Sequence, residues 1–86
     1  MDLNTNTIYT LSPNPTGTYF QITKNEVDVS EYTVQIKDVS GRVILQTYNY
    51  TLGDLIDIRN VAQGIYLVVI SKPNEVMFTQ KLVITK

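Results

Sequence analysis

The chain reads as an all-β protein, a sandwich of two antiparallel sheets, and three observations predict it. The dominant hydrophobic period is two: in "YTVQIKD", Tyr32, Val34 and Ile36 alternate with Thr33, Gln35 and Lys37, the mark of a half-buried strand. Gly, Pro, Asn and Asp punctuate the chain at short intervals and leave only strand-length segments between them. No segment carries an apolar stripe at helical spacing. About seven strands can be counted, the number an immunoglobulin-like β-sandwich uses.

Taken in order, "IYTL" (8–11) is the first strand. "SPNPTG" (12–17) follows and stops it. Each proline lacks an N–H and disfavours helix at the residue before it, so Asn14 is held extended between two rigid pivots. Gly17 then permits the turn into "TYFQIT" (18–23), where adjacent Tyr19 and Phe20 leave the inward face open. Tyr32–Lys37 and Arg42–Tyr48 form a hairpin around Asp38-Val39-Ser40-Gly41, with Asp first and Gly fourth as a type I turn prefers. "LIDI" (55–58) is a short strand, and "RNVAQG" one tight turn ending at Gly64. "GIYLVVIS" (64–71) is apolar on both parities, which predicts a central strand covered on both faces. Lys72-Pro73-Asn74-Glu75 turns the chain into a last strand, Val76 to Thr85, with Phe78, Leu82 and Ile84 on one parity.

The composition narrows the function. The chain has 86 residues, 43% apolar and 17% charged, with seven basic and eight acidic side chains for a net charge of −1. One domain of this size is expected, and with no basic excess nucleic acid is not an expected partner. No apolar run approaches the roughly 20 residues of a membrane helix, and "MDLNTNTIYT" is not a signal peptide. An exported domain would then be a fragment of a longer precursor, with residues 1–7 a linker or a remnant of expression and 8–86 the domain. Histidine and cysteine are both absent, which removes imidazole bases, thiol nucleophiles and the commonest zinc ligands. The serines have no triad base, and the four glycines stand singly rather than in a phosphate loop. An enzyme is not expected, nor a cofactor.

The remaining candidates have plain structural readings. Asp54 and Asp57 lie three apart, on opposite sides of a strand. "NEVDVSE" (25–31) gathers oxygens that could meet calcium, but without a calcium-loop spacing it reads as a solvated acidic loop. "NYT" (49–51) fits the glycosylation pattern, a match that arises often by chance. Tyr48 and Tyr50 are the one near pair of tyrosines that could stand exposed together, as a sugar-stacking module would need.

Three pieces in this order resemble a known family: "LSPNPTG" at 11–17, "VQIKDVSGRVI" at 34–44, and "GIYLVVI" with "FTQKLVITK" from 64 to 86. Together they look like the C-terminal sorting domain of cargo proteins of the type IX (Por) secretion system, which exports proteins across the outer membrane of certain Gram-negative bacteria. The resemblance spans Leu11 to Lys86. It implies an immunoglobulin-like domain that serves as an address and catalyses nothing. It further implies a cargo domain on the N-terminal side, passage through the periplasm, and a secreted or cell-surface destination. The implied partners are the translocon and a sortase-like peptidase. Pro13, Asn14 and Pro15 match the opening motif; Asp38, Gly41 and Arg42 the "D-x-x-G-R" turn; Gly64 and Tyr66 the "G-x-Y" of the penultimate strand. Lys81, Leu82 and Val83 match the closing basic–apolar pattern. Ser12 departs from the aromatic often found before Pro-Asn-Pro, and Val69 from a frequent charge. The turn motifs read as structural, whereas Lys81, Leu82, Val83 and Lys86 are expected to be read by the machinery. Val69 and the apolar last strand also leave weak dimerisation open. The rival reading is a carbohydrate-binding or adhesive immunoglobulin-like module of a secreted enzyme.

Overall fold

The computed structural model describes residues 8–86; the linker expected over 1–7 lies outside the described residues. Seven strands form: β1 Tyr9–Ser12, β2 Tyr19–Lys24, β3 Glu31–Lys37, β4 Val43–Thr51, β5 Leu55–Asp57, β6 Gly64–Lys72 and β7 Glu75–Ile84. They lie in two antiparallel sheets, β1-β2-β5 and β4-β3-β6-β7. This is an immunoglobulin-like order in which the fourth strand sits beside the third rather than beside the fifth.

The core lies between the sheets. One sheet contributes Leu11, Phe20, Ile22 and Ile56, with Ile58 and Val61 just beyond β5. The other contributes Tyr32, Val34, Ile36, Tyr50, Val68, Ile70, Leu82 and Ile84. Phe20 settles the inward face of β2: it is fully buried, and Tyr19 is exposed.

One sequence expectation is corrected. β6 is central in its sheet, but it is covered on one face only. Val68 and Ile70 are fully buried, while Ile65 and Leu67 on the other parity are 54% and 40% exposed. Apolarity on both parities here marks an open face, because a two-layer sandwich has no third layer to cover it. The structure also separates Tyr48 and Tyr50, the pair that could have stood exposed together. Tyr48 is exposed and Tyr50 buried. Asn49 between them adopts φ 55°, and the β3–β4 register shifts between Tyr32 and Val34. This bulge inserts one residue and reverses the parity beyond it. The remaining exposed tyrosine with a large free surface, Tyr19, is on the opposite sheet, so no aromatic platform forms.

The reversal gives Tyr50 its position. Its hydroxyl accepts from the Ile22 amide at 2.9 Å and donates to the Asp54 carbonyl at 2.6 Å. β5 pairs with β2 only from Tyr19 to Gln21, so the Ile22 amide lies one residue past the end of that ladder. A buried amide there needs a partner, and the phenol from the facing sheet supplies it. Burial, as the main cause, pushes the Tyr50 phenol above its ordinary pKa. Tyr50→Phe keeps the ring and orphans the amide, and is expected to cost about 1–3 kcal/mol in urea unfolding with an unchanged m-value. An unchanged midpoint would show that the bond contributes nothing.

Candidate functional site

The three sequence motifs converge on the end of the β6–β7 hairpin near the 38–42 turn. The opening motif becomes a clasp on β7. Both of its X–Pro bonds, Ser12–Pro13 and Asn14–Pro15, are cis. The Asn14 amide group donates to the Lys81 carbonyl, and its oxygen accepts from the Val83 amide, each at 3.0 Å. A side-chain amide thus occupies the place where a neighbouring strand would pair. Thr16 continues it: its amide donates to the Val83 carbonyl at 3.0 Å, and the Thr85 amide donates back to Thr16 at 2.9 Å, forming a parallel bridge between Thr16 and Ile84. The Thr16 hydroxyl also donates to the Tyr19 carbonyl. At Gly17 the backbone comes so close that a Cβ would lie 2.5 Å from the Thr85 carbonyl oxygen. This is why glycine stands there.

The "D-x-x-G-R" turn is held by one carboxylate. Asp38 Oδ1 accepts from the Ser40 amide at 3.0 Å, the Ser40 hydroxyl at 2.6 Å and the Arg42 amide at 3.0 Å; Oδ2 accepts from Arg42 Nε at 3.2 Å. These bonds, the Ser40 hydroxyl first, hold its pKa below the ordinary value. Gly41 at φ 91° takes the left-handed position that closes a type I turn into a hairpin. In the "G-x-Y" piece, the Tyr66 hydroxyl donates to the Ala62 carbonyl at 2.7 Å, which ties the start of β6 to the turn before it.

The closing residues fare differently from one another. Lys81 is exposed on the outer face, where Leu67 separates it from Lys37: Lys37 pairs with Leu67, and Leu67 with Lys81. Leu82 is fully buried in the core, so in the folded domain its side chain is out of a partner's reach. Val83 is half-buried and its backbone is taken up by Asn14 and Thr16. Lys86 is committed within the fold: its ammonium donates to the carbonyls of Gly17, Ile58 and Arg59 at 3.1–3.2 Å, latching the chain beyond β7 to the other sheet.

The same end of the outer face carries a hollow of about 350 Å³, lined by Lys37, Asp38, Val39, Gly41, Ile65, Tyr66, Leu67 and Lys81. Asp38, Gly41, Tyr66 and Lys81 were singled out in the sequence as motif positions; the hollow they share was not. Its signal was present in the doubly apolar parity of 64–71, which reads equally well as burial.

The acidic 25–31 loop is largely exposed, and Asp28 is the carboxylate in it that turns back onto the fold. Asp28 accepts from Lys24 Nζ at 2.8 Å, from the Ser30 amide at 2.8 Å and from the Tyr32 hydroxyl. Lys24, first among these, holds its carboxyl far below the usual carboxylate range. Lys72 Nζ stands 5.2 Å over the Tyr32 ring. Asp57 faces outward and is paired with Arg59 at 2.7 Å. Among the described residues no three His, Cys, Asp or Glu gather as a metal site would require.

The fold and site define a small immunoglobulin-like β-sandwich with its motif residues spent on turns and on an edge clasp, and with an open, partly apolar outer face. The family is settled by comparison. The model of the secretion system C-terminal sorting domain matches residues 7–85, and the chain belongs to that family, the sorting domains of type IX secretion cargo. The family is one of sorting signals, whose cargo is secreted or held at the cell surface and interacts with the secretion machinery. No curated protein matches the chain.

Two outcomes are expected. Lys86→Ala lowers stability by about 1 kcal/mol through the lost charged bonds, and Lys81→Ala changes it by less than about 0.5 kcal/mol; urea titration of both distinguishes latch from surface residue. For pH, Asp57 titrates at about 2 rather than 3.8, its Arg59 bond being the first cause, and Asp28 lies lower still. Depressed carboxylates stabilise above pH 3.8 and lose that contribution as pH falls. Burial, and then the bond to Asp28, raise the Tyr32 hydroxyl above its ordinary 10.0, a contribution complete below that value and lost above it. The denaturation midpoint should be flat from about pH 5 to 9 and fall on both sides; Asp28→Asn should flatten the acid limb, and an unchanged limb would exclude Asp28 as its source.

Proposed function

We propose that the domain is an export address read in its folded state. A separate N-terminal signal on a longer precursor carries it into the periplasm. There the type IX translocon engages the outer face of the β6–β7 hairpin, and a sortase-like peptidase removes the domain at the cell surface, cutting ahead of the domain that begins at residue 8. Lys81 is the contact residue of the closing motif. Leu82, Val83 and Lys86 act by holding the hairpin in register, from the core, the clasp and the latch. Of the residues expected to be read, Lys81 is the one whose side chain is exposed and makes no hydrogen bond or ion pair to any described residue, and this supports the assignment. Recognition is protein–protein, through side chains on a sheet face, because the β7 edge at 81–85 is already paired.

A reporter with a periplasmic signal, fused ahead of residues 1–86 in a host that owns the system, tests this. The wild-type fusion should reach the outside, and Lys81→Ala should export several-fold less while keeping its circular dichroism spectrum and Tm. Retention of the wild-type reporter in the periplasm would sink the address reading; equal export of Lys81→Ala would sink the role of that lysine.

A further inference from the structure

We propose that the hollow beside the 38–42 turn is a docking site for a protein segment that presents one large apolar side chain flanked by carboxylates. The proposal rests on the address reading and names the chemistry of the partner's side.

The hollow exists because β3 ends at Lys37 while β6 continues to Gly64. Leu67 is the last outer-face residue of β6 with a strand on either side. One step on, Ile65 pairs with Val83 on β7, but opposite it the chain has already turned away through Val39. Ile65, Leu67 and Val39 are 54%, 40% and 88% exposed. Covering them removes apolar surface from water, the main favourable term in association. A volume of about 350 Å³ is at the small end of ligand pockets and has room for one large apolar side chain together with part of the segment that carries it.

Charge sets what surrounds that side chain. Lys37 and Lys81 flank Leu67 in register, one strand away on each side, about 10 Å apart across the sheet. Neither ammonium has an ion-pair partner among the described residues. The carboxylate lining the hollow, Asp38, is already taken up by Ser40 and Arg42. The rim is therefore positive and unpaired, and a segment with acidic residues on both sides of its apolar anchor complements it. A second copy of this chain does not fit: a two-fold contact through this face would set its lysines against those of the other copy.

Two blocked synthetic peptides serve as probes, Glu-Glu-Leu-Glu-Glu and Lys-Lys-Leu-Lys-Lys, titrated into the ¹⁵N-labelled 86-residue chain and followed by amide chemical shifts. The acidic peptide at millimolar concentration should move the amides of Ile65, Leu67, Lys81 and the 38–42 turn, with an affinity that falls as salt is raised. The Lys37→Glu/Lys81→Glu variant should reverse the preference between the peptides. Equal responses to both, or shifts scattered over the domain, overturn the proposal. In the export assay the same double variant should lose about tenfold or more, equivalent to about 1.4 kcal/mol of recognition, while Thr33→Glu at the far end of the same face exports normally. If the wild type is exported and the folded double variant is exported equally, the docking site fails and the address stands. If the wild type is not exported, the address fails and the peptide titration alone decides the docking site.

Discussion

The four hydrogen bonds that Asn14 and Thr16 make to the 81–85 stretch hold the end of the last strand against the chain that precedes the first turn. An edge strand in a small sandwich presents unpaired backbone groups to anything that can pair with them. Here the exposed ladder over Lys81–Thr85 is filled by two residues of the same chain, one of them through its side chain. Leu82 and Ile84 can then stay in the core, since the strand carrying them is fastened on both sides. The close approach at Gly17 and the reach of Lys86 to the opposite sheet follow from the same contact, which brings residue 17 to within van der Waals distance of residue 85. With no disulfide to bind the sheets, this clasp, the Tyr50 phenol and the Lys86 ammonium are among the polar ties between distant parts of the chain.

The clasp also ties the residues of the closing motif together although they face different ways. Strand geometry sends Lys81 outward and Leu82 inward, and the edge bonds fix the backbone of Val83. A partner that contacts Lys81 therefore reads a side chain whose position depends on the core and on a segment 67 residues earlier. Partial unfolding removes the display as well as the stability. Only the assembled sandwich offers the hollow and its two lysines together.

Much of this was legible in the sequence, and what was not has a common cause. The alternation in 32–37, the Asp38–Gly41 turn and the order of strands follow from local pattern, and the structure agrees to within a few residues at each end. The parity change at Asn49 was not legible, because a left-handed asparagine inside a strand leaves no trace in hydrophobic period. The open face of β6 was misread, since a fully covered strand and a strand with a sticky outer face have the same composition. Asn14 read correctly as a punctuating residue, but its partners lie 67 and 69 residues away, and no spacing within "SPNPTG" names them. Lys86 read as a displayed charge for the same reason: the carbonyls that hold it lie in two distant segments, at Gly17 and at Ile58 and Arg59. Local chemistry was visible; contacts made only by the finished fold were not.

The bridge between Thr16 and Ile84 is parallel, and that direction has a mechanical meaning. A pull on the N-terminal side of residue 14, against a hold on the far side of residue 85, draws the two segments along their length in opposite senses. The bonds from Asn14 and Thr16 are then loaded together, in shear, instead of opening one after another like a zipper. Forced unfolding is governed by the barrier to rupture rather than by equilibrium stability, and a group of bonds that must break at once raises that barrier. The clasp thus suits a domain that bears tension between its two ends.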